Sequence, residues 1–256
     1  MLLENKKIVL MGVRNKWSIA WGAAMSAHKN GAQLICTYNP SEGSEKLAKL
    51  LEEFPGTKLY PCDASSDESI KECFASIKAD FGKVDGILHS IAHAFTDDLR
   101  NDFINTSREG YSHACDVSAY SLVKIVNEAV AQDVLNEGAS IVTYTYYGSE
   151  KAVVGYNVMG VAKAALEASI RYLAQDLGKK GMRINGISSG PIKTLSAKGI
   201  KDFGSILDVI EEKAPMHKNV TIEQVGDTTT FLFSNMSSGI TGEIIHCDNG
   251  FTTVGV

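Results

Sequence analysis

The chain has 256 residues, 44% of them hydrophobic, and a formal net charge of −5. That content is enough to fill one sizeable core, and an acidic balance with no Lys/Arg cluster longer than a pair argues against nucleic acid as the main partner. Five scattered cysteines without a Cys-x-x-Cys pair fit reduced thiols, and no apolar run approaches the roughly eighteen residues a membrane span needs, so a soluble, cytoplasmic chain with no membrane partner is expected.

Met1 to Lys7 leads into a first strand without an apolar signal core or a small-residue cleavage site. Short β-rich apolar runs then recur at Ile8 to Met11, Gln33 to Tyr38, Lys58 to Cys62, Val84 to Ile91, Ser140 to Thr145, Arg183 to Ile187 and Glu243 to Cys247, with helical patterns between most of them. Such alternation predicts an α/β fold: one doubly wound, Rossmann-type parallel sheet covered on both faces, because only strands buried on both sides tolerate runs like Ile-Val-Leu-Met. No linker, repeat or low-complexity tract marks a boundary, so residues 1–256 are expected to form a single domain. Ser188 to Ser205 has no assignable element, and a loop of that length in a compact domain is expected either to close over a ligand or to be mobile.

The first strand-to-helix junction, Met11 to Gly22, keeps only two glycines of the dinucleotide fingerprint. Gly12 would still turn the backbone off the strand, Ser18 would cap the helix, and free amides at Ser18 and Ile19 would face a diphosphate. After the second strand, Thr37 to Glu42 offers no Arg or Lys for a 2′-phosphate, which favours NAD over NADP; Asn39 either bonds the ribose or starts the turn. Asp63, at the end of the third strand, can accept from an adenine amino group or cap a helix beginning near Ser65. His89 to Ala94 is rich in small residues that let a flat ring approach.

His89 and His93, read as four residues along one strand, would stand about 13 Å apart, beyond shared coordination. No other His, Cys or carboxylate cluster has ligand spacing, so no metal is expected and His28, His113, His217 and His246 are read as surface or core. Tyr146 follows the fifth strand at the carboxyl edge, where open α/β sheets bind ligands.

Tyr156 and Lys163 pair a weak acid with a cation in Gly155-Tyr-Asn-Val-Met-Gly-Val-Ala-Lys163. Read as one helix, seven residues advance about 700°, placing both side chains on one face about 10.5 Å apart, a gap suited to a ligand between them. The chemistry this suggests is stabilisation of a developing oxyanion.

With these residues assembled, the chain resembles the NAD-dependent enoyl-acyl-carrier-protein reductases of bacterial fatty-acid synthesis, a branch of the short-chain dehydrogenase/reductase superfamily. The likeness runs through Gly12 to Ala20, His89-Ser90-Ile91, Ser107 to Gly110, Tyr156 to Lys163 and Gly190 to Ala197. It implies that NADH, in preference to NADPH, delivers hydride to the β-carbon of an enoyl thioester on acyl carrier protein. Tyr156 would bond the thioester oxygen, Lys163 the nicotinamide ribose, and Tyr146 would be a second active-site group. Gly12, Ser18, Ile19, Asn39, Asp63, Ala64, Ile91, Lys163, Ile192, Lys193, Thr194, Leu195 and Ser196 would bind the cofactor. Ala94, Tyr146, Tyr156, Met159, Ala197, Ile200, Phe203 and Ile206 would meet the substrate, the last four on a loop spanning about 190–206. A homotetramer is implied as well, with Ala164, Ala165 and Ala168 giving one helix a small packing surface.

Three departures stand out: His93 where the family has an aromatic, Arg14 and Trp17 in the diphosphate loop, and Cys247-Asp248-Asn249-Gly250 near the end. The nearest rival, a ketoacyl or alcohol reductase of the same superfamily, would show Tyr-x3-Lys and a serine at the place of Thr143. A silent nucleotide-sensing regulator is the rival of another class.

Overall fold

The computed structural model describes residues 1–194 and 203–255. Seven parallel strands form one sheet in the order β3-β2-β1-β4-β5-β6-β7: β1 (Lys7–Met11), β2 (Gln33–Tyr38), β3 (Lys58–Pro61), β4 (Val84–His89), β5 (Leu135–Thr145), β6 (Arg183–Ser189) and β7 (Ile244–Cys247). Strand order reverses at β1, so the loops after β1 and β4 diverge and open a crevice at the carboxyl edge.

Apolar residues continue along each strand because both faces are covered. Ile8 and Leu10 of β1 join a core with α1 (Ile19–Lys29), α2 (Glu45–Leu51) and α9 (Ile222–Phe233), while Val9 and Met11 face α3 (Asp67–Phe81), α6 (Ser121–Ala131) and α7 (Val158–Gly178). The same alternation places Val142 on the first face and Ile141 on the second. Each fully buried Leu or Ile contributes about 1.5–3 kcal/mol relative to exposure. On the first face α1 and α9 touch backbone to backbone: a Cβ on Gly22 would stand 2.0 Å from the Ile222 carbonyl oxygen.

The remaining helices are α4 (Thr96–Arg100), α5 (Arg108–Cys115) and α8 (Phe203–Lys213), with a π-turn over Asp116–Tyr120 joining α5 to α6. Three sequence expectations need correction. β4 ends at His89 rather than Ile91, because the chain turns away where the register with Met11 and Thr143 closes. β6 runs to Ser189, and residues 203–206 belong to α8, so the unassigned stretch is shorter at both ends than Ser188 to Ser205. α3 begins at Asp67, capped by Ser66, whose hydroxyl accepts from the Ser69 amide. Among the described residues no helix is long and apolar enough to cross a membrane.

Candidate active site

Gly12 leaves β1 with φ +100°, and a Cβ there would lie 2.0 Å from the Ser90 carbonyl oxygen, so only glycine lets the loops after β1 and β4 pass so closely. Ser18 holds the N-cap position of α1 but makes no cap. Its hydroxyl donates to the Asn15 carbonyl at 2.7 Å and its amide to the same oxygen at 3.1 Å, so the expected cap and free Ser18 amide are both consumed by the tight turn before the helix. The first-turn amides of Ile19 and Ala20 keep no side-chain acceptor, and no acidic residue stands in that turn. Unopposed amides at a helix N-terminus fit a diphosphate.

Along the same edge Asn39 starts the turn after β2: its Oδ1 accepts from the Ser41 amide at 3.0 Å and hydroxyl at 2.9 Å, leaving Nδ2 as the end able to meet a ribose. Asp63 likewise uses Oδ1 to accept from Ser65, at 2.9 Å from the amide and 2.7 Å from the hydroxyl, and does not cap the helix. Its second oxygen and the neighbouring Ala64 stay half-buried at the edge. Ile91 and Ile192 pack against opposite cores, Thr194 is half-buried and Lys193 exposed. Leu195, Ser196, Ala197 and Ile200 lie outside the described residues.

The Tyr156–Lys163 geometry differs from the one expected. Helix α7 starts at Val158, and Tyr156 sits in the turn before it, between Gly155 at φ +83° and Asn157 at φ +41°. A left-handed residue interrupts the helical path, so the two side chains do not share a helix face. Asn157 is held in that conformation by donating to the carbonyls of Leu99 at 3.1 Å and Asn101 at 2.6 Å. The Tyr156 ring instead packs edge-on against Tyr146, centroids 4.8 Å apart at 71°, over Gly148, where a Cβ would come within 2.5 Å of it.

Lys163, on the second turn of α7, is 6% exposed and donates to the Tyr144 carbonyl at 2.7 Å. Burial pulls its ammonium down from 10.5 to about 8, and Glu167 one turn on opposes that fall. Glu167 is itself buried and accepts from Thr145 Oγ1 at 2.5 Å. Sequence reasoning missed it, although its spacing of four from Lys163 was the available signal. Burial drives the Tyr156 phenol well above its ordinary value, with Tyr146 and then Glu167 adding to it, and pushes Tyr146 up to about 12. Both phenols therefore keep their protons at neutral pH.

Beneath this group His89 is buried, Nδ1 at 2.9 Å from Thr143 Oγ1 and Nε2 at 2.8 Å from Ser121 Oγ. Burial, then the Lys163 charge, lowers it to about 3, so the ring is neutral, while the two hydroxyls also reach the carbonyls of Val117 and His89. Thr143 thus belongs to a structural network rather than to the cleft. His93 turns elsewhere, its Nδ1 2.7 Å from His113 Nε2, with Phe95 stacked on His113 at 4.5 Å. The 13 Å separation along one strand does not apply, since β4 has already ended.

Ala94, Tyr156 and Met159 meet in one apolar cluster with Leu99, Ala114 and Val158. Ser118, in the π-turn, braces it through the His93 amide and the Met159 sulfur. Ile206 lies across a cavity of about 200 Å³ that is also lined by Tyr146, Tyr147, Val153, Val209 and Phe251, four of which carried no sequence signal. Phe203 is the first residue of α8. A larger hollow of about 690 Å³ lies between α9 and the segment after β7, away from both tyrosines and the lysine.

A parallel sheet with an unopposed helix N-terminus at its switch point, a buried lysine bonded to the Tyr144 carbonyl and the Tyr146–Tyr156 ring pair two residues on fit a nucleotide-dependent reductase of the short-chain dehydrogenase/reductase type. The family model described as Enoyl-(Acyl carrier protein) reductase matches residues 12–252. Bacillus subtilis has a relative named enoyl-acyl-carrier-protein reductase (NADH) FabI, 52% identical over 97% of this chain and 96% of its own. A Staphylococcus aureus relative, named for NADPH, is 50% identical over 98% of each chain. The crystal structure of the Bacillus cereus enoyl-acyl carrier protein reductase with NADP+ and indole naphthyridinone superposes with a TM-score of 0.96, at 49% identity over 100% of this chain and 99% of that one. The chain belongs to the enoyl-acyl-carrier-protein reductase family.

Proposed function

We propose that this chain reduces the carbon–carbon double bond of trans-2-enoyl-acyl-carrier-protein thioesters in fatty-acid elongation, with NADH as the nucleotide. The observation that carries this reading is the Tyr146–Tyr156 ring pair together with a buried lysine bonded to the carbonyl of Tyr144, at the carboxyl end of β5. Bound NADH would supply a hydride to the β-carbon, and the alkene electrons would move onto the thioester oxygen. Tyr156, kept protonated by burial, donates a hydrogen bond to that oxygen as enolate charge develops. Lys163 donates to the nicotinamide ribose, and its charge favours the anion where water is excluded. Tyr146, protonated and edge-on to Tyr156, orients the thioester or delivers the α-carbon proton.

The amides of Ile19 and Ala20, the loop at Gly12 and Ser18, and Asn39, Asp63, Ala64 and Ile91 would hold the dinucleotide, with Ile192 to Ser196 closing over it. Ala94, Met159 and the cavity at Ile206 would take the acyl chain, with Ala197, Ile200 and Phe203. Residues 1–256 act as one domain, in the cytoplasm. An exposed strip on α7, with Ala164 and a Tyr172 that is 80% exposed, supports assembly into a homotetramer.

Purified protein is expected to oxidise NADH with a crotonyl thioester and not with an acetoacetyl thioester. The reverse preference would indicate a ketoreductase, and no turnover with either would defeat the proposed reaction.

A further inference from the structure

The loop after β1 and the turn after β2 leave neighbouring strands at the same edge, Met11 in register with Thr37. Between them stands a two-pronged ion pair. Arg14 donates from Nε to Glu42 Oε2 at 3.1 Å and from a terminal nitrogen to Oε1 at 2.5 Å. Each partner is anchored from its own side. Glu42 ends a one-turn helix fixed by Pro40 and by the Asn39 cap, and Arg14 precedes Asn15, whose side chain accepts from Trp17 and whose carbonyl accepts from Ser18. The loop's other cation, Lys16, is paired with Glu53.

This edge lies beyond β2, where a dinucleotide places its adenosine ribose: a carboxylate there accepts from a 2′-hydroxyl, and a guanidinium there grips a 2′-phosphate. The segment from Thr37 to Glu42, read alone, contains no cation. The fold brings one in from the preceding loop and at once occupies it with an acid. Relatives of about equal identity carry names specifying NADH in one case and NADPH in another, so overall similarity does not set the choice and the local groups must.

We infer that the Arg14–Glu42 fork is the element by which this enzyme selects its nucleotide: Glu42 meets the unphosphorylated ribose and repels a 2′-phosphate, while withholding Arg14 from it. The inference rests on the dinucleotide reading of this edge. Because both groups are about half exposed, at 51% and 46%, substitution there leaves the core intact and the effect is screened by salt.

The test compares kcat/KM and calorimetric Kd for NADH and NADPH in the wild type, Glu42→Gln and the double variant Glu42→Gln/Arg14→Ala. Glu42→Gln is expected to lower the NADH-to-NADPH ratio about tenfold or more, chiefly through tighter NADPH binding, as one freed charge-assisted contact allows. The double variant should lose the share of that gain that Arg14 supplies and keep only the share that comes from removing the Glu42 charge. A Glu42→Gln ratio unchanged from wild type, or an NADPH gain just as large without Arg14, would overturn the inference. If no variant turns over an enoyl thioester, the proposed reaction fails and the Kd ratio decides this inference alone. If neither nucleotide binds, both fall.

Discussion

Replacing Lys163 by Met should make the nucleotide-free protein more stable and unable to respond to NADH. Bringing the ammonium from 10.5 down to about 8 corresponds, at about 1.4 kcal/mol per pH unit, to about 3 kcal/mol charged against the native state. Methionine removes that penalty. It also forfeits the charged hydrogen bond to the Tyr144 carbonyl, worth about 2 kcal/mol, while the Glu167 attraction is already contained in the lowered value. The net expectation is about 1 kcal/mol in favour of the variant near neutral pH. The sign with pH follows from the depressed value. Below about 8 the lysine is charged in both states and the penalty is complete; between about 8 and 10.5 the native lysine is neutral while the unfolded one is still charged, so wild-type stability rises and the variant's advantage shrinks. Urea unfolding of both proteins at about pH 7 and about pH 9.5, with and without NADH, measures this. A variant less stable at neutral pH, or an advantage that does not shrink, would refute the burial argument. NADH stabilising both proteins equally would refute the role given to the lysine.

Tyr156→Phe should lower kcat by about two to three orders of magnitude with little change in the Kd for NADH, measured by steady-state kinetics and calorimetry. Because the free lysine loses its proton above about 8 and a bound ribose and diphosphate favour the charged form, NADH binding near pH 9 should take up a proton, seen as a buffer-dependent enthalpy; a buffer-independent value would count against it. Asn157→Gly keeps the left-handed backbone but drops the two bonds to Leu99 and Asn101, whereas Asn157→Ala loses both supports, so kcat should fall further in the second. Gly148→Ala should reduce kcat more than it lowers the unfolding midpoint, since its new methyl presses on the Tyr156 ring.

All seven strands could be read from the chain because each is a short apolar run flanked by turn-forming residues. The exception in extent is β5, whose first half, Leu135 to Ala139, carries Asn136, Glu137 and Gly138 and has no strand pattern. Gly12, Asn39 and Asp63 follow successive strands at the carboxyl edge, as the strand pattern implies, but the local geometry around the motif residues was not legible. Periodicity carries no sign of a positive φ at Asn157, so Tyr156 was assigned to a helix it only precedes. Contacts between distant segments were equally hidden: His93 with His113 and Arg14 with Glu42 depend on which loops share an edge. Glu167 was within reach, four residues beyond the lysine, yet nothing in an amphipathic pattern separates a buried acid from a solvated one.

The break between Gly155 and Val158 divides Tyr156 and Lys163 between two mechanically separate carriers. The ammonium is clamped by a long rigid rod to the end of a strand, whereas the phenol rides on a short bent stalk whose orientation is set by two amide tethers and a missing methyl. Inserting or deleting residues in that stalk would swing the acid while leaving the cation in its seat. The interval between the two in the sequence is therefore a poor ruler of the distance between them, and on the proposed roles the substrate's seat could be retuned there without rebuilding that of the nucleotide.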